Sequence, residues 1–110
     1  MQQMLWQYDD SEADEAIASR RYGKASRILK DAFHQASMTG DFQPQLLQRA
    51  EDLARAQSDS GDYYSAAATY RMIVELQRST LGPKHPDVEK SSLDLIKALM
   101  KSGCISPGNA

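Results

Sequence analysis

His34, His85 and Cys104 are the side chains best suited to acid–base, nucleophilic or metal chemistry, and they stand far apart along the chain. No second ligand follows His34 at i+3 or i+4, the spacing that would put two donors on one helix face. His85 directly precedes Pro86, so it reads as a residue packed at a helix entrance rather than a catalyst. Cys104 is the one cysteine and sits among Gly103, Ser106, Pro107 and Gly108, the composition of a tail. A lone cysteine builds no internal disulfide framework, and a reducing, cytoplasmic compartment is expected. No CxxC, HExxH, GxSxG, phosphate loop or dinucleotide fingerprint occurs. The expectation is a chain that is not an enzyme and needs no cofactor or metal ion.

Charge and hydropathy narrow the partners. Thirteen Lys and Arg stand against fifteen Asp and Glu for a net charge of −2, whereas a nucleic-acid binder carries a basic excess. No run approaches the ~18 apolar residues of a membrane helix. Met1-Gln2-Gln3-Met4-Leu5-Trp6 lacks the basic flank and long apolar run of a signal peptide. Neither nucleic acid nor membrane is expected. At 110 residues, with 41% apolar and 25% charged, the chain has the length and composition of one soluble domain.

Apolar residues recur at helical spacing almost throughout. Tyr22, Ala25, Leu29, Ala32, Phe33 and Ala36 form one stripe, and Leu46, Leu47, Ala50, Leu53 and Ala54 a second. Tyr63, Ala66, Tyr70, Ile73 and Val74 form a third, and Val88, Ser92, Leu95, Ile96 and Leu99 a fourth. Ala13, Ala16 and Ile17 suggest a weaker helix before them, beginning at a capping-box-like Ser11–Asp14 or nearer Met4. No period-two alternation marks a strand. The reading is all-α, with helices over about 4–20, 22–38, 43–60, 63–80 and 86–102 and a tail over 103–110. Pro44 and Pro86 fall where a helix start tolerates a missing N–H, and Gly61 and Gly103 fall where the backbone needs positive φ.

The chain also matches itself. Gly40 and Gly82, Pro44 and Pro86, Leu53 and Leu95, and Gly61 and Gly103 are each 42 residues apart. Tyr22 and Tyr63, and Ala25 and Ala66, are 41 apart. A repeat near 40 residues built of helix pairs is the pattern of an α-solenoid, in which each pair hides its apolar face against its neighbours.

Gly61-Asp62-Tyr63-Tyr64-Ser65-Ala66, with Tyr70 and Ile73 beyond, resembles the turn and second helix of a tetratricopeptide repeat (TPR). Leu81-Gly82-Pro83-Lys84-His85-Pro86-Asp87-Val88 is similar to the connector of the 42-residue subclass found in kinesin light chains. Gln57, Ile73 and Ser92 depart from the residue sizes usual in that repeat. The resemblance implies a short solenoid of two helix pairs closed by a fifth, capping helix. It also implies a protein–protein interaction module, an adaptor or scaffold whose first helices line a concave groove.

On that register the groove takes Asp10 and Asp14 from the first helix and Gln48, Glu51, Arg55, Ser58 and Asp59 from the third. Leu93, Lys97, Met100 and Lys101 come from the capping helix. The expected ligand is a peptide or helix of another protein, acidic near the capping helix and basic near the first. An apolar side chain would rest on Leu93 or Met100. The family's lysine/asparagine/arginine clamp for C-terminal carboxylates is absent, since the matching positions hold Asp10, Asp14, Arg55, Leu93 and Lys97. A homodimerising module, or part of a longer repeat protein, is the alternative. Two repeats fall below the usual minimum of about three, and Met1, Met4, Leu5 and Trp6 form a cluster that seeks cover.

Overall fold

Carboxylates, prolines and one histidine set where the helices begin. A computed structural model of the chain describes residues 8–40 and 42–103. It contains α1 (Asp10–Ala18), α2 (Tyr22–Thr39), α3 (Pro44–Asp59), α4 (Tyr63–Leu81) and α5 (Pro86–Ser102), with no strand among the described residues. The Asp9 carboxylate accepts the Glu12 N–H at 3.2 Å and caps α1, while Asp62 does the same for α4 through Ser65 at 3.3 Å. Pro44 and Pro86 occupy first-turn positions of α3 and α5. His85 Nδ1 accepts the Asp87 N–H at 3.1 Å, which makes it the N-cap of α5. The first helix begins at Asp10, later than the expected residue 4, because Asp9 holds the extended conformation of a cap. The Met1–Trp6 cluster and Cys104 lie outside the described residues.

The helix pairs repeat down to their hydrogen bonds. The Arg20 N–H reaches the Ile17 carbonyl, the Gly61 N–H the Ser58 carbonyl and the Gly103 N–H the Met100 carbonyl, at 3.0–3.1 Å. Arg21 to Ala16 and Asp62 to Gln57 repeat the next bond of the same turn. Gly61 and Gly103 hold φ of 89° and 85°, but the first copy of the turn places Arg20 there at φ 64°. A side chain in that left-handed region costs about 1 kcal/mol, and Arg20 is exposed. Arg20→Gly is therefore expected to raise stability by about 0.5–1 kcal/mol, read as an upward shift of the urea midpoint.

The pairs α1–α2 and α3–α4 stack so that α1 meets α3 and α2 meets α4, and α5 packs along α4. The result is a small all-α, helical-repeat-like fold. Its core runs through Ala13, Leu29, Ala50, Leu53 and Ile73, with a second patch of Ala66, Ala67 and Ala98 where α4 meets α5. Alanine outnumbers every other buried apolar type, so the helix axes approach closely. Ala66 has no exposed surface. Ala66→Leu is expected to overpack this contact and cost about 1–3 kcal/mol, measured in denaturant. Gln57, a departure from the repeat pattern, is buried because its Oε1 accepts the Thr69 hydroxyl at 2.7 Å.

The inner face of α5 differs from the apolar stripe in the sequence. Val88, Ser91 and Ala98 are buried, Leu95 and Leu99 are half-buried, and Ile96 is 40% exposed. Small residues at Ser91 and Ala98 let α5 lie close to α4. That rotation turns the longer Ile96 outward.

Candidate functional site

The α3 helix carries the site's electrostatics, beginning with a residue the periodicity passed over. Arg49 lies between core positions Leu46 and Leu53, and its guanidinium reaches back to α1. Its Nε donates to Asp10 Oδ1 at 3.0 Å, while one terminal nitrogen lies 3.1 Å from Asp14 Oδ1 and 2.7 Å from Asp52 Oδ2. Burial opposes the Arg49 charge, yet the hydrogen bond it donates to Asp10 and the pull of the three carboxylates outweigh it and raise its pKa. Tyr8 donates its hydroxyl to the same Asp10 oxygen at 2.7 Å. Burial, then that bond to a carboxylate, pushes the Tyr8 phenol well above its ordinary range. Asp10 and Asp14 thus link α1 to α3 through Arg49, with Asp14 still 62% exposed. A sequence clue existed in their i+4 spacing, which puts two acids on one face of α1 where a cation of a neighbouring helix can reach both.

Farther along α3 the charges reach a cleft. Asp52 also meets Arg55 at 3.4 Å and Gln48 at 3.3 Å, which ties two expected groove residues to the Arg49 network. Ser58, Tyr63, Tyr70, Asp94, Lys97 and Lys101 then line a depression of about 160 Å³ contributed by α3, α4 and α5. The Lys101 ammonium lies 5.4 Å from the Tyr63 ring centroid, within cation–π range. Burial raises the Tyr70 pKa and the Asp94 charge adds to it, while the Ser58 hydroxyl and Arg55 pull the other way. Glu51 stands near Lys90 of α5; its pKa is raised by burial, against the pull of Lys90 and Arg55. Lys97 and Lys101 form no ion pair with a described residue, so cation and aromatic surface face open space together.

The expected groove residues therefore separate into three groups. Ser58, Lys97 and Lys101 share the cleft, with Arg55, Glu51 and the exposed Asp59 on α3 around it. Asp10, Asp14 and Gln48 belong to the Arg49 network or its edge. Leu93 and Met100 lie outside the cleft lining and remain 53% and 39% exposed. Tyr63 and Tyr70 were legible only as core-stripe residues, yet both line the cleft. A larger depression of about 450 Å³ lies on the opposite side, between α2 and α4. Its buried polar residues, Gln57 and Thr69, bond each other and leave less for a ligand.

No family model, curated protein or solved structure matches the chain. Among the described residues no group of His, Cys, Asp and Glu is placed to hold a metal ion. No described helix is long and apolar enough to cross a membrane.

Proposed function

We propose that this chain is a protein–protein interaction module of the tetratricopeptide kind, a non-catalytic adaptor or scaffold. It holds an acidic segment of a partner in the cleft between α3, α4 and α5. The observation that carries the reading is that two lysines without an ion pair among the described residues share one cleft with two tyrosines: Lys97 and Lys101 beside Tyr63 and Tyr70. Tyrosine is among the residue types that concentrate binding energy in interfaces, and exposed lysines beside it supply the charge that steers an acidic partner. The acidic end expected at Asp10 and Asp14 is partly engaged, since both carboxylates already pair with Arg49. A cytoplasmic setting rests on the lone Cys104 and the missing disulfide framework.

Affinity capture from native lysate tests the proposal, with wild type and Arg55→Glu/Lys97→Glu side by side. Both residues are exposed, so helicity is expected to stay intact. Captured partner is expected to fall by more than about tenfold, and added salt to slow wild-type association. Equal capture with equal salt dependence would remove the cleft from the account.

A further inference from the structure

Gln57 and Thr69 are polar where the other copies of the repeat are apolar. The turn bonds from Arg21 to Ala16 and from Asp62 to Gln57 align Gln57 with Ala16, and the 42-residue spacing aligns it with Leu99. The 41-residue spacing aligns Thr69 with Ile28. An apolar pair would serve packing as well as this one, so what sets it apart is the polar group it leaves open. The Thr69–Gln57 separation of 2.7 Å is the length of an O–H···O bond, which gives the carboxamide oxygen to Thr69 and turns the N–H2 away from it. Gln57 is 3% exposed, and its Nε2 donates to no described residue. Nε2 is not among the atoms sealed from solvent without a partner. It therefore opens on the 450 Å³ depression between α2 and α4 that Gln57 lines.

We propose that this depression binds a small organic anion, independently of the α3–α5 cleft. Gln57 supplies a buried N–H2 donor whose orientation Thr69 fixes. Arg27 and Lys30, one turn apart on α2, line the same space; both are exposed, and neither is ion-paired with a described residue. The one carboxylate of the lining, Asp62, already accepts the Ser65 N–H at the start of α4 at 3.3 Å. Tyr22, Tyr64 and Met72 add aromatic and apolar wall. The volume falls within the roughly 300–1,000 Å³ of small-molecule sites, which set a few placed polar groups in an apolar lining. The ligand that fits has a flat apolar body, an acceptor oxygen for Gln57, and a carboxylate or phosphate for Arg27 and Lys30. The planar guanidinium of Arg27 suits either anion.

Two-dimensional NMR of the isotope-labelled whole chain tests the site, with phenyl phosphate and benzoate as anionic probes and benzyl alcohol as the neutral one. The Gln57 side-chain N–H2 signals, assigned by their loss in Gln57→Leu, are expected to shift saturably with one or both anions. The dissociation constant should be on the order of 1 mM for probes of this size, and the tighter probe names the headgroup. Benzyl alcohol should bind about fivefold more weakly or worse. Gln57→Leu leaves Thr69 a second acceptor, the Ser65 carbonyl at 3.1 Å, so the fold should persist while anion binding, followed at the Ser65 amide, weakens about threefold. Arg27→Gln/Lys30→Gln should weaken it about tenfold, whereas the cleft variant Arg55→Glu/Lys97→Glu should leave it intact. No saturable shift with either anion up to about 20 mM overturns the proposal. So does equal binding of benzyl alcohol, or anion binding that ignores Arg27→Gln/Lys30→Gln.

Discussion

Leu53→Ala is expected to lower the free energy of unfolding by about 2–5 kcal/mol. Leu53 has no exposed surface and shares one core cluster with Leu29 of α2 and Ile73 of α4. Removing its branched end leaves a cavity at the meeting point of three helices. The alanine-rich surroundings offer few flexible side chains to collapse into it, which favours the upper half of that range. A domain of this size has about 5–15 kcal/mol in total, so the variant should lose much of its margin. Urea unfolding measures it, with Met38→Ala as the control. Met38 is 70% exposed, and its truncation should change stability by less than about 0.5 kcal/mol. Equal effects at both sites would mean that Leu53 is not at the centre of the core.

Arg49→Leu is the second large effect, and it should be local. The cation alone holds Asp10, Asp14 and Asp52 together, and its side chain is 22% exposed. Without it three carboxylates face one another, two of them partly shielded from water. Partial exposure brings the cost below that of a fully buried pair, to about 1–3 kcal/mol. The loss should fall on α1, a nine-residue helix that buries only Ala13 and Ala16. Amide exchange in α1 should accelerate toward the unfolded limit while α4 keeps its protection. Asp52→Asn in the Arg49→Leu background should recover part of the loss by easing the repulsion. Unchanged exchange in α1 would show that apolar contacts suffice to dock it.

The repeat was legible in the sequence because local chemistry and packing agree there. Pro44 and Pro86 start helices, Gly61 and Gly103 close them, and Ala25, Leu53 and Ala66 reach zero exposure where the stripes put them. The rotation of α5 was less legible, because Ser91–Ala98 and Ser92–Ile96 are both at helical spacing and either pair could have faced inward. Hydrophobicity favours the second pair, whereas close approach to α4 selects the smaller first one. Cleft residues divided along a similar line. Charges one or two turns apart on α3 could be placed from periodicity alone. Arg49 could not, because its partners Asp10 and Asp14 come from a helix some 35–39 residues earlier. Tertiary packing decides which of several acids Arg49 meets.

Photo-crosslinking by position tests the central claim most directly. One form of the chain carries a photoreactive side chain at Ser58, inside the α3–α5 cleft; another carries it at Lys30, exposed on α2. Irradiated in native lysate, the Ser58 form is predicted to yield a discrete protein adduct that Arg55→Glu/Lys97→Glu abolishes, and the Lys30 form none. A discrete adduct from Lys30 with none from Ser58 would contradict the account and move recognition to the opposite face.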